Sequence, residues 1–332
     1  SPASLLLKEI EAEKSRLWRD GKIKAPKPLL EIKPAEMPYA LPPGWEWVRV
    51  GEVCSYIQRG KGPVYADSSS HRVVSQKCVR WHGLDLEPAR FIDPSTLSKY
   101  EPVRFLRGGD LLWNSTGTGT IGRACLVPDE LDHSELVADS HVTVVRALLP
   151  TPAFLWRWIQ SPIVQGEIES VASGTTNQIE LNTSTVINHL MPLPPLEEQL
   201  RIVAKIDQLM ARCDELERLR AEREQKRRSV HAAALKQLLD AQAADSIADA
   251  WQFISRHFGD LYAVKENVAE LRKAILQLAV MGKLVPQNSS DPPARQLLKD
   301  IEAEKSRRWR DSKIKAPNTF LQSKPAEMPY AL

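Results

Sequence analysis

Residues 2–41 return as residues 293–332, at an offset of 291 and with no gap. KEIEAEKSRLWRDGKIKAP, starting at Lys8, comes back as KDIEAEKSRRWRDSKIKAP, starting at Lys299, and KPAEMPYAL, from Lys33, returns unchanged from Lys324. The first copy runs on into PPGWEWVRVGEV; the second stops at Leu332, where that continuation would begin. Solenoid units span about 20–45 residues, so this period belongs to something else. It describes a duplicated domain with its connector. A recent duplication without functional meaning produces the same pattern. Near-identity across the repeat points instead to a tandem parent, or to a module with equivalent ends.

A chain of 332 residues, 42% hydrophobic and 26% charged, has room for two or three domains and a globular composition. No apolar run approaches the roughly 20 residues a membrane helix needs. The opening SPASLLLKEIEAEK turns to charge too early for a signal peptide, and a start without methionine suggests a processed or trimmed product. Cys54, Cys78, Cys125 and Cys213 lie far apart with no CxxC pair, which predicts no metal site, no disulfide framework and a cytoplasmic setting. Net charge is only +3, but it is unevenly spread. From Arg49 to Arg107 ten Lys/Arg stand against six Asp/Glu, and from Gly108 to Pro195 three stand against nine. A polyanion binder would use the first stretch and turn the second away. Ordinary mixed surface charge reads the same way.

Composition divides the period into four segments: a connector at 1–41, a domain at 42–195, a helical region at 196–291 and a second connector at 292–332. Glycines crowd into 42–195 together with six of the nine tryptophans. Short β-prone runs (Glu46–Val50, Val53–Ile57, Val73–Ser75, Asp110–Trp113, Ala124–Val127, His141–Val145) alternate there with Gly, Pro, Asp and Ser turns. Phe154–Gln160 and Ile163–Val171 read as short helices near its end. From Leu196 the pattern changes. Pro195 precedes a helix running to about residue 240, with Glu197 and Glu198 in its first turn.

Ile202, Ile206, Leu209, Cys213 and Leu216 step by 4, 3, 4 and 3, a coiled-coil seam. Val264, Val268, Leu271, Ile275 and Leu278 step the same way and stop at Gly282, with a short insert around Ala241–Tyr262 between the seams. The seams are expected to meet each other or another chain. Core helices of a second globular domain would carry the same stripes.

The search for catalytic chemistry is mostly negative. GTGTIG (Gly117, Gly119, Gly122) matches a dinucleotide fingerprint literally, but RACLVPDE after it is β-prone and broken by Pro128 where a helix is required. A tight strand-to-strand loop is the expected structure. The seven histidines make no pair at ligand spacing. Asp139 and His141 are neighbours expected to point to opposite faces of a strand as satisfied polar residues. MPYAL lacks the asparagine of the NPPY-type tetrapeptide that amino-methyltransferases use. No catalytic residue is predicted.

Four polar loops remain: IQRGKGPVYADSSSHR, QKCVRWHG, WNSTGTGTIGR and ASGTTNQIELN. They carry Arg59, Lys61, Lys77, Arg80, Asn114, Thr116, Arg123 and Gln178, which together suggest a binding surface, while plain surface turns account for any one of them taken singly. Arg and Lys neutralise phosphates; Asn, Gln and Arg pair with base edges.

PPGWEWVRVGEV, GGDLLWNSTGTGTIGRACLV, SGTTNQIELNTSTVINHLMPLPPLEEQLRIVAKID and LRKAILQLAVMGKLVPQ, in that order, resemble the specificity (S) subunit of type I restriction–modification systems, the HsdS family. The resemblance runs over essentially the whole chain. It implies an α+β fold, a mixed, mostly-β target recognition domain followed by long antiparallel coiled-coil spacer helices. It also implies a non-catalytic role: reading one half of a split site in double-stranded DNA and docking the modification (methyltransferase) subunits. Those subunits bind S-adenosylmethionine and methylate adenine, and a separate ATP-dependent restriction subunit cuts. This chain departs from the family in having one recognition domain and one spacer set, so a homodimer is expected, paired through residues 202–216 and 268–278. Recognition loops vary within the family, so the eight loop residues, our candidates for DNA contact, rest on their chemistry alone. Two other classes compete: an enzyme holding a nucleotide at Gly117–Gly122, and a coiled-coil adaptor without a DNA role.

Overall fold

Trp47, Val48, Met191 and Leu193 set the frame, because the first and last strands of the β domain pair with each other. Glu46–Arg49 (β1) runs antiparallel to Leu190–Leu193, with Trp47 opposite Pro192 and Val48 opposite Met191. The structure, a computed structural model, describes all residues except 1, 27, 118, 132–134, 150, 174–179 and 312–332, and side chains are described outside 170–173 as well. Gln178 therefore lies outside the described residues.

Between those two strands the chain forms Cys54–Arg59 (β2), Tyr65–Ala66 (β3), Arg72–Val74 (β4), Val79–Arg80 (β5), Gly83–Leu84 (β6) and Arg90–Ile92 (β7). Leu111–Asn114 (β8), Ala124–Leu126 (β9), Leu136–Ala138 (β10) and Val142–Ala147 (β11) follow, and Leu190–Leu193 is β12. One four-stranded sheet has the order β2-β11-β8-β9, all antiparallel, and a second has the order β10-β4-β7-β3, with β10 and β4 parallel. The six predicted β-prone runs fall on β1, β2, β4, β8, β9 and β11.

The helices are Ala3–Arg19 (α1), Pro152–Ile159 (α2), Pro162–Ser173 (α3), Thr183–Asn188 (α4), Leu196–Asp240 (α5), Ala244–Arg256 (α6), Phe258–Leu261 (α7), Lys265–Val280 (α8) and Ala294–Arg310 (α9). The molecule divides into two compact units, Ser1–Ala211 and Arg212–Leu332, with the division inside α5.

In the first unit α1, β1, β8, α2 and β12 bury their apolar faces in one core built on Val48, Leu111, Trp113, Leu155, Ile159 and Met191. The first turns of α5 belong to this unit. Ile202 and Val203 pack on that core, Gln199 is buried and donates to the Pro194 carbonyl at 2.8 Å, and Arg157 pairs with Asp207 at 2.6 Å. Arg49 pins the connector: Nη1 donates to the Asn188 carbonyl at 2.7 Å, and Nη2 reaches both carboxylate oxygens of Glu36 at 2.9 Å.

In the second unit Ala234, Leu235 and Leu238 of α5 pack against Ala250 and Ile254 of α6 and Leu271, Ala274 and Leu278 of α8, with Ile275 at the edge. Tyr262 lies against His231, and Lys283 donates to the carbonyls of Leu239 and Ala241. Those contacts make α8 run alongside the last turns of α5 in the same direction, with α6 returning between them. Of the two partners expected for the second seam, the first seam gives way to the far end of α5. The Leu271–Leu278 part of the second seam closes there, where Ala234, Leu235 and Leu238 offer a second stripe, while Val268 is only half-buried beside the buried Asn267. Val264 caps α8 from outside it. Of the other seam, Ile202 faces the first unit and Ile206 is half-buried, while Leu209, Cys213 and Leu216 are exposed.

Candidate nucleic-acid interface

Antiparallel pairing gathers most of the predicted loops at one end of the β2-β11-β8-β9 sheet. Thr143 at the start of β11 is opposite both Arg59, the last residue of β2, and Trp113 near the end of β8. The loop after β2, the turn before β11 and the β8–β9 loop must therefore emerge on the same side. The end of β4 joins them, since the Asp139 N–H donates to the Val74 carbonyl at 3.0 Å.

The β8–β9 loop carries the glycines. Gly117 and Gly122 have φ of +103° and +83°, where side-chain-bearing residues are strained. A Cβ on Gly122 would come within 2.8 Å of the Gln165 side chain, which donates to the Gly122 carbonyl. The loop returns directly into β9. Among the described residues the loop joins β8 to β9 with no helix N-terminus to receive a pyrophosphate, which fits the strand-to-strand loop and not the nucleotide fingerprint.

Asn114 differs from the expected base reader. It is completely buried, and its amide donates to the carbonyls of Gln76 at 3.1 Å and Thr120 at 3.2 Å. Residues this closed off hold loops rather than reach a ligand. Thr120 Oγ1 donates to Gln76 Oε1 at 3.0 Å, which joins the two loops a second time. Gln76 is a residue the sequence reading missed, although it stands beside Lys77. Thr116 is half-buried and its Oγ1 has no partner among the described residues.

The cations are arranged around this frame. Lys77 is exposed on the Gln76 loop. Arg123 donates to the Gly119 carbonyl at 2.8 Å from the loop's outer side. Arg80 sits on the β5–β6 hairpin, half-exposed and 3.6 Å from Asp85, with Trp81 exposed at the tip. The Trp81 carbonyl accepts from Gln160, which holds the hairpin against α2. Lys61 donates to the Lys99 carbonyl at 2.8 Å. Arg59 is already paired with Glu180, and Arg104, also missed by the sequence reading, donates to the Arg59 carbonyl at 3.1 Å.

Asp139 and His141 are corrected as well. They flank a turn, not a strand, so the His141 N–H donates to Asp139 Oδ1 at 2.8 Å and the imidazole lies 3.5 Å from the same carboxylate. Burial pushes the Asp139 carboxyl above the usual range, against the pull of the His141 contacts. Among the described residues no group of three or more His, Cys, Asp or Glu could hold a metal ion, and no helix is long and apolar enough to cross a membrane. What this end offers is cationic side chains on braced loops, and the β5–β6 hairpin adds Arg80 and the exposed Trp81 indole.

Residues 42–224 match the sequence family described as type I restriction modification DNA specificity domain. The chain belongs to that family. Family relatives include the type I restriction enzyme EcoAI specificity subunit of Escherichia coli, 32% identical over 99% of this chain and 56% of that relative. The EcoEI specificity subunit of the same organism is 33% identical over the same shares. This chain thus spans about half the length of the curated relatives it matches. Among solved structures, the HsdS subunit from Thermoanaerobacter tengcongensis is 31% identical over 60% of this chain and 51% of that one, with a TM-score of 0.47.

Proposed function

We propose that this chain is the DNA-reading specificity component of a type I restriction–modification complex and reads one half of a bipartite site. The observation that carries the reading is the placement of Lys61, Thr116 and Arg123 at one end of the β2-β11-β8-β9 sheet in a member of the specificity family, with Lys77 on the loop after β4 tied to that end, and Arg80 and Trp81 on a hairpin held to α2. Lys61, Lys77 and Arg123 meet phosphates, and Arg80 and Trp81 address the groove. Asn114 holds the loops. The chain itself performs no catalysis. S-adenosylmethionine belongs to the modification subunit, which methylates an adenine flipped from the stack, and DNA cutting belongs to an ATP-dependent restriction subunit. Three buried free thiols, Cys54, Cys78 and Cys125, support a reducing cytoplasmic setting.

The exposed face of α5 at Leu209, Cys213 and Leu216 supports self-association in an antiparallel homodimer, which would present two half-sites to a palindromic target. The domain organisation predicted from composition, with recognition at 42–195 and spacing at 196–291, is retained in this reading. The α5 face also suits an adaptor with no DNA role. Anisotropy titration of a labelled duplex, with the modification subunit present, separates the two. The proposal predicts binding that weakens steeply with salt. Salt-insensitive or absent binding favours the adaptor.

A further inference from the structure

Helices α1 and α9 are two copies of one sequence in opposite situations. In α1, Ala3, Leu6 and Ile10 are buried and Leu7 packs on the same core. The Ala3 N–H donates to the Gly44 carbonyl at 2.9 Å, and Lys14 Nζ donates to the carbonyls of Gly51 and Glu52 at 2.7 and 3.1 Å. The helix therefore lies along the Gly44–Glu52 edge that opens the β domain. The same positions in α9 are Ala294, Leu297, Leu298, Ile301 and Lys305, unchanged in type. Yet α9 buries none of its residues, with Leu297 62% and Leu298 61% exposed. An apolar helical face left in water marks an interaction surface.

Three of the four differences between the copies avoid that face, and the fourth falls at its C-terminal end, where Leu17 is half-buried. Over the seventeen residues of each helix they are Ser4/Arg295, Leu5/Gln296, Glu9/Asp300 and Leu17/Arg308. Ser4, Leu5 and Glu9 are exposed in α1. The second connector also keeps, at Glu327, the counterpart of the Glu36 carboxylate that Arg49 holds.

We propose that α9 is a second docking helix for the α1 site, and that its partner is the Gly44–Glu52 edge of the β domain in a second copy of this chain, where it takes the place of that copy's α1. This edge is where the structure seats the shared face, and every copy of the chain carries it. Exchange of an equivalent element between copies is a low-cost route to association. The tether gives α1 an effective concentration of about millimolar, so α9 wins the site when α1 is dislodged. The inference rests on no DNA role, so the two stand or fall separately.

Two full-length variants test it. Ser4→Arg, Leu5→Gln, Glu9→Asp and Leu17→Arg together put the α9 sequence into the α1 site. The proposal expects an unchanged denaturation midpoint, whereas a loss as large as that of Leu6→Asp with Ile10→Asp shows that α9 does not fit, and overturns it. The second variant is Leu6→Asp with Ile10→Asp, which dislodges α1. Sedimentation should show self-association about tenfold tighter than wild type, returned to wild type by adding Leu297→Asp and Ile301→Asp. No tightening, or tightening that survives the α9 substitutions, overturns the proposal. If dislodging α1 unfolds the domain, the first variant still decides whether the site accepts α9.

Discussion

Asn114 and Gln76 are tied across two loops: the Asn114 amide donates to the Gln76 backbone carbonyl over 3.1 Å from the buried end of β8. That bond, with the Thr120 hydroxyl on the Gln76 side chain, fixes the spacing between the Lys77 loop and the glycine loop. A binding surface made of loops needs such braces, because fixing mobile side chains on contact costs affinity.

Asn114→Ala leaves two backbone carbonyls without their donor. We expect a stability loss of about 1–3 kcal/mol, read by urea denaturation. DNA binding should weaken for all sequences alike. Loss of a single base preference with unchanged stability would instead make Asn114 a base reader.

Lys61 and Arg80 should part company in a binding assay. Lys61→Ala is expected to weaken all duplexes uniformly and to lower the salt slope by about one. Arg80→Ala is expected to cost about 1–3 kcal/mol on the preferred site and relax one position in it. A competition series over variant duplexes gives both quantities.

Asp110 and Arg146 form a buried two-point ion pair, Nε to Oδ1 and Nη2 to Oδ2, both at 2.7 Å. Arg146 also donates to the carbonyls of Val103 and Phe105, so it ties β11 to the chain before β8. Asp110→Ala strands the guanidinium and should cost about 3–5 kcal/mol, measured by thermal or chemical unfolding.

His189 stands edge-to-face against Trp113, and burial, helped by Arg49, pushes its imidazole down to about 4 from 6.5. The unfolded chain therefore binds this proton more readily than the folded one. The stability it confers is complete above pH 6.5 and is lost as pH falls through about 4. The loss is of order 3 kcal/mol and should disappear from the pH profile of His189→Phe.

Leu209 and Leu216 are exposed within the single chain, so Leu209→Asp with Leu216→Asp should leave its helix content unchanged by circular dichroism and remove only the stability that pairing adds. Light scattering should show the wild type as a dimer and this variant as a monomer. A wild type that stays monomeric at micromolar concentration removes the self-pairing.

The strands of the β domain were legible because β-branched runs sit between glycine and proline turns, and the long helix because Pro195 and two glutamates mark its start. What the sequence hides is partnership. The heptad steps of Val268–Leu278 announce a stripe but not that Ala234, Leu235 and Leu238 would cover Leu271, Ala274 and Leu278 of it. Asn114 looked like a loop donor because nothing local says that β8 ends inside the core. Asp139 and His141 meet at the turn between β10 and β11, where the carboxylate accepts from the His141 N–H, and that turn is set by strand pairings distant in sequence.

The most direct test of the specificity role is methylation mapping by sequencing, with the chain and its modification subunit co-expressed in a methylation-free host. The account predicts a split, palindromic adenine motif. An asymmetric split motif would contradict the two-fold pairing, and no motif with a folded partner present would contradict the specificity role itself.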